Sequence, residues 1–78
     1  MYWDVTLVKP LDNYQLYVEV RNGQKGVFDM NPYLEKGMFR ELKNPEYFNR
    51  VSVLLGAVSW PNGQDIAPET LLAELKND

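Results

Sequence analysis

Asp29, Asp65 and Glu69 are the side chains in this sequence best suited to moving protons. Asp29 closes a run that alternates like a strand, and Asp65 follows the glycine-bearing stretch Asn62-Gly63, so the two could meet at one rim of a sheet. A small hydrolase or ligand-binding protein built on Asp29 and Asp65 would need a cleft that drives their pKa values apart. The simpler expectation is that both aspartates accept backbone amides in turns, as short acidic side chains do. The chain has no histidine and no cysteine. Their absence removes thiol nucleophiles, Ser-His-Asp triads, zinc fingers and disulfide frameworks. No catalytic residue is assigned, and the chain is read as a non-enzyme.

Metal and nucleotide chemistry find little support. Asp29-Met30-Asn31 begins like a calcium loop, but Leu34 stands where the sixth position needs glycine and Arg40 where the twelfth needs glutamate. Asp65 and Glu69, four apart, offer two carboxylates against the ~6 oxygen ligands calcium takes. Asn22-Gly23 and Asn62-Gly63 are isolated pairs with no phosphate-loop lysine behind them. No metal site and no cofactor is therefore expected. The net charge of −3 and isoelectric point near 4.8 oppose binding to a phosphate backbone, and the eight cations are scattered among acids. Tyr17 with Arg21 and Lys25 could imitate a single-strand platform, which keeps a nucleic-acid-binding regulator as a third reading behind the carboxylate one.

The 78 residues suffice for one small domain spanning the whole chain, 1–78. A domain of this size buries only ~60% of the surface its unfolded chain exposes. Five tyrosines, three phenylalanines and two tryptophans are more aromatic surface than so thin a core covers. Trp3, Tyr17 and Tyr47 have the phase for partial exposure, which makes them the expected partner surface. The N-terminus lacks a basic leader, and the longest apolar run, Val53 to Val58, is far short of the ~18 residues of a membrane span. A cytoplasmic location is expected.

These side chains hang on a readable series of elements. Trp3 to Lys9 alternates Trp3, Val5 and Leu7 against Asp4, Thr6 and Val8, a strand stopped by Pro10. After a turn at Leu11-Asp12-Asn13, Tyr14, Leu16, Val18 and Val20 form the buried face of a second strand. Asn22-Gly23 suggests a two-residue hairpin turn, but that register would set Phe28 against Tyr17. A three-residue loop, Arg21-Asn22-Gly23, instead pairs Leu16 with Phe28 and Val18 with Gly26, with Gly23 in the left-handed position of a bulge. The third strand, Lys25 to Met30, leads into Asn31 as a cap and Pro32 at a first helical position, ended by Gly37. Met38 to Leu42 makes a second turn, and Asn44-Pro45-Glu46 repeats the cap-then-proline pattern. Two further strands turn at Leu55-Gly56, pairing Val53 with Val58 and Val51 with Trp60. Trp60 to Ile66 reads as a tight loop before a helix from Pro68 to Lys76, about nine residues long and too short to stand undocked.

The predicted fold is α+β: an antiparallel sheet of about five strands in two hairpins, with short helices on one face and a C-terminal helix. The Tyr17-Val18 strand, Asn22-Gly23, Val27-Phe28-Asp29-Met30-x-Pro32, Gly37-Met38-Phe39-x-x-Leu42 and the run Val58 to Glu69 together resemble the domain-of-unknown-function family 2442. Its most specific segment is Trp60-Pro61-Asn62-Gly63-x-Asp65-x-x-Pro68-Glu69. Leu71-Leu72 departs mildly from the family's usual Leu-Tyr. The resemblance implies a small prokaryotic α+β protein. Some family members carry an appended helix-turn-helix, which is expected to be missing here. Others are encoded beside a second small family, domain of unknown function 4160, in what looks like a toxin–antitoxin arrangement. The function expected is a non-catalytic interaction or regulatory module, the antitoxin-like partner of a small toxin-like protein or a homodimer. Asp29, Pro32, Gly37, Trp60, Pro61, Asn62, Gly63, Asp65 and Pro68 are expected to shape bends and caps.

Overall fold

Alternation of apolar side chains drives the first half of the chain into a meander of three antiparallel strands, β1 (Val5–Leu11), β2 (Gln15–Val20) and β3 (Lys25–Asp29). The computed structural model describes residues 3–75. Leu16, Val18, Val20 and Phe28 are buried, with Leu16 opposite Phe28 and Val18 opposite Gly26. The loop between β2 and β3 is Arg21-Asn22-Gly23: the Val20 amide donates to Gln24, the Gly23 amide donates back to Val20, and Gly23 sits at φ +96°. Side-chain period thus sets the loop length, as expected from the cost of exposing a whole apolar face.

β1 departs from its expected phase. Val5 pairs with Val20, but Leu7 pairs with Glu19 and Val8 with Val18, so the strand carries a bulge at Thr6. Val5 therefore enters the core, Leu7 moves to the outer face, and Val8 packs inward. Pro10 does not stop the strand; it lies inside β1, opposite Leu16. Lys9 and Leu11 bond to β2, and Pro10 occupies the intervening position whose missing amide would point away from the sheet, where proline is tolerated.

Between β3 and the next strand the chain packs as short turns: 3-10 segments at Asn31–Tyr33 and Gly37–Lys43, then α1 (Pro45–Phe48). Asn44 caps α1 by accepting the Glu46 amide at 3.1 Å, while Asn31 makes no such cap. Leu34, Leu42, Tyr47 and Phe48 from these turns are buried.

The second half forms a separate sheet. β4 (Ser52–Leu54) and β5 (Ala57–Ser59) pair as expected, with Val53 opposite Val58; the ladder stops short of Val51 and Trp60. The segment after Trp60 is more than a loop, because β6 (Asp65–Ile66) returns antiparallel to β5. The described residues therefore form six strands in two three-stranded sheets rather than five in one. A two-residue strand is too short to show alternation, which is why it read as loop. The sheets meet where the Val5 amide donates to the Gly56 carbonyl at 2.9 Å, and one core cluster spans both. α2 (Pro68–Glu74) closes the described chain with Leu71 fully buried and Leu72 and Leu75 half-buried; Lys76, its expected last residue, lies outside the described residues. Among the described residues no helix is long and apolar enough to cross a membrane.

Candidate interaction site

The run from Trp60 to Pro68 is built around a second hairpin loop with the same hydrogen bonds as the first. The Trp60 amide donates to Gln64, the Gly63 amide donates to Trp60, and Gly63 sits at φ +100°. Opposed residues of a hairpin share a face. Because Trp60 points inward and bonds the Phe48 carbonyl through its indole N–H at 3.0 Å, Gln64 is carried inward with it.

Gln64 is the functional-looking residue that sequence reasoning missed. It is 1% exposed and fully engaged. Its amide nitrogen donates to the Met38 carbonyl at 3.0 Å and to Glu41 Oε1 at 2.9 Å, and its oxygen accepts from the Tyr47 hydroxyl at 2.5 Å. The same hydroxyl accepts from the Asn62 amide at 2.9 Å, and the Asn62 side chain donates to Glu41 Oε2 at 2.7 Å. Tyr47, Gln64, Asn62 and Glu41 thus form a closed polar knot that ties the loop to the turns at Gly37–Lys43 and to α1. Among the described residues no buried side-chain nitrogen or oxygen lacks a partner. A groove of about 360 Å³ runs past this knot, lined in part by Glu41, Glu46, Arg50 and Asn62. The signal available beforehand was the repeat Asn-Gly-Gln at 22–24 and 62–64. Two equal loops place their glutamines alike, and only burial distinguishes Gln64 from the exposed Gln24.

The expected carboxylates, Asp29 and Asp65, line different depressions. Asp29 Oδ1 accepts the Asn31 amide at 3.0 Å and the Asn31 side chain at 2.8 Å, a turn-stabilising arrangement, and Asn31 also donates to the Asn13 carbonyl at 2.7 Å. Asp65 lies opposite Ser59 in the second sheet. Asp29 lines a depression with Pro32 and Glu74, whereas Asp65 lines another with Tyr33, Phe39 and Thr70. Pro32 and Pro68 occupy first helical turns, and Gly37 takes φ +47°. α2 begins without a side-chain cap, so Asp65 does not serve there as expected. Among the described residues no group of three or more acidic side chains is placed to hold a metal ion.

The aromatic surface is also redistributed. Tyr47 is a core residue, 8% exposed, because its hydroxyl is needed inside the knot. Tyr17 is half-buried on the outer face of the first sheet and donates to Glu19 at 2.7 Å; Trp3 remains 37% exposed. Among the described residues the largest apolar exposure belongs instead to the turn between β4 and β5, where Leu54 is 60% and Leu55 96% exposed. Leu55 and Gly56 both have positive φ, +52° and +79°, the backbone of a two-residue turn that favours Asn-Gly. The Trp3-Asp4 segment lies against this turn: a Cβ on Gly56 would fall 2.7 Å from Asp4 Cγ.

A family model described as "Protein of unknown function (DUF2442)" matches residues 5–77, nearly the whole chain. No curated protein and no solved structure matches it.

Proposed function

Starting from the chain's membership of the DUF2442 family, we propose that it is a non-catalytic protein-interaction module, the antitoxin-like or regulatory half of a two-protein system. The observation that carries this reading is Leu55. A leucine in the left-handed region costs about 1–2 kcal/mol of backbone strain, and with 96% of its surface exposed its side chain gains almost no burial in return. Asparagine at this position would relieve the strain. A large apolar residue held outward there, beside exposed Leu54, suits insertion into an apolar pocket of a second protein. The satisfied polar knot and the placement of Asp29 and Asp65 in different depressions support a structural role for the remaining unusual residues.

Co-expression with the product of the adjacent gene, followed by size-exclusion chromatography, tests the proposal. A stable complex that L55N abolishes is the expected result. Absence of any complex, or a complex indifferent to Leu55, overturns it.

A further inference from the structure

Among the described residues, the outer edge of β3 is an open half of a ladder. β2 bonds through Leu16 and Val18 to Phe28 and Gly26, a pattern framed by the Val20 amide on Gln24 and the Met30 amide on Tyr14. The intervening residues Lys25, Val27 and Asp29 consequently aim their amides and carbonyls away from the sheet. Among the described residues, none hydrogen-bonds to those groups. The opposite edge is managed differently, since β1 carries Pro10 and a bulge and abuts the Gly56 turn. The stretch Lys25–Asp29 has neither proline nor bulge. An edge with neither of these devices offers its unpaired groups to another strand.

We propose that β3 is a self-association edge on which a second copy of this chain pairs antiparallel, with Val27 on the two-fold axis. In that register Lys25 of each copy faces Asp29 of the other. Three outward residues per strand then exchange about six backbone hydrogen bonds. Both bonds that Asp29 accepts from Asn31 end on Oδ1, so Oδ2 is not used by Asn31. Shifting the pairing by two residues in either direction abolishes both charge pairs, and a parallel arrangement sets like charges side by side. One register is therefore singled out, which is what a closed, isologous dimer needs. On the outer face Tyr17 stands opposite Val27, so the axis would join Tyr17, Val27 and their counterparts into one row across a six-stranded sheet. This surface is separate from Leu55.

Light scattering on the full chain, with K25E, K25E/D29K and V27P, tests the register. The chain should be a dimer that weakens with salt. K25E should raise the dissociation constant at least about tenfold by placing like charges opposite each other, and K25E/D29K should recover much of that loss. V27P should be a folded monomer, because among the described residues nothing bonds the Val27 amide. Should V27P fail to fold, hydrogen exchange on the unaltered chain decides instead: the Lys25, Val27 and Asp29 amides should gain protection as concentration rises. A monomer at all concentrations, or a dimer that leaves these amides and K25E unaffected, overturns the proposal. L55N should retain the dimer while losing the heterologous partner, so the two proposals fail independently.

Discussion

The Tyr47 hydroxyl donates to Gln64 Oε1 at 2.5 Å and simultaneously accepts the Asn62 amide at 2.9 Å, so one buried oxygen joins α1 to the loop after β5. Y47F would leave the Gln64 oxygen short of a donor and the Asn62 amide short of an acceptor. Leaving buried polar groups unpaired costs about 1–3 kcal/mol each. We expect Y47F to lower stability by at least about 2 kcal/mol, read as a drop in urea midpoint at constant m-value. An unchanged midpoint would mean that water replaces the hydroxyl.

Leu55 should behave in the opposite sense. Replacing it by asparagine turns Leu55-Gly56 into the preferred pair for this turn, and L55N should raise stability by about 1 kcal/mol. A mutation that strengthens the fold while removing association would separate binding from folding at one residue.

Two glycines with similar φ distinguish backbone strain from contact. At Gly23, φ +96°, an added Cβ would meet nothing within 4 Å, whereas at Gly56, φ +79°, it would meet Asp4 at 2.7 Å. G23A should therefore cost only the left-handed penalty of about 1–2 kcal/mol. G56A should cost distinctly more, because Asp4 must also move. Paired thermal melts of the two variants measure the difference, and equal losses would show that Asp4 yields freely.

Alkaline pH should loosen α2. Tyr33 donates to Glu74 at 2.6 Å, and this hydrogen bond, helped by burial and by the carboxylate's charge, holds the phenol above its ordinary pKa. A raised pKa means that the contribution is complete below the unfolded value, about 10, and disappears as pH climbs through the folded one. Stability measured across that window should fall more steeply for the native chain than for Y33F. Superimposable profiles would count against the contact.

Much of the fold was legible from residue types. The β2–β3 register followed from setting Leu16 against Phe28, and the cap on α1 followed from Asn44-Pro45-Glu46, because period and local hydrogen bonding act within a few residues. β6 was not legible, since Asp65–Ile66 is held by its partner β5 rather than by any pattern of its own. Nor was the phase change in β1, where a bulge at Thr6 exchanges the faces of Leu7 and Val8 without any local mark.

The amino-acid order alone determined which chemistry is absent, where the chain turns, and which strand faces are apolar, because these depend on side-chain type and spacing. Tertiary structure decided which polar residue is buried and which edge is open. Gln24 and Gln64 follow identical Asn-Gly pairs, yet only Gln64 meets Tyr47 and Glu41, residues 17 and 23 positions away. Likewise β1 and β3 are both edges, but the Gly56 turn meets β1 at the Val5 amide, whereas no described residue bonds the outward groups of β3. Burial and edge exposure depend on what the rest of the chain brings alongside.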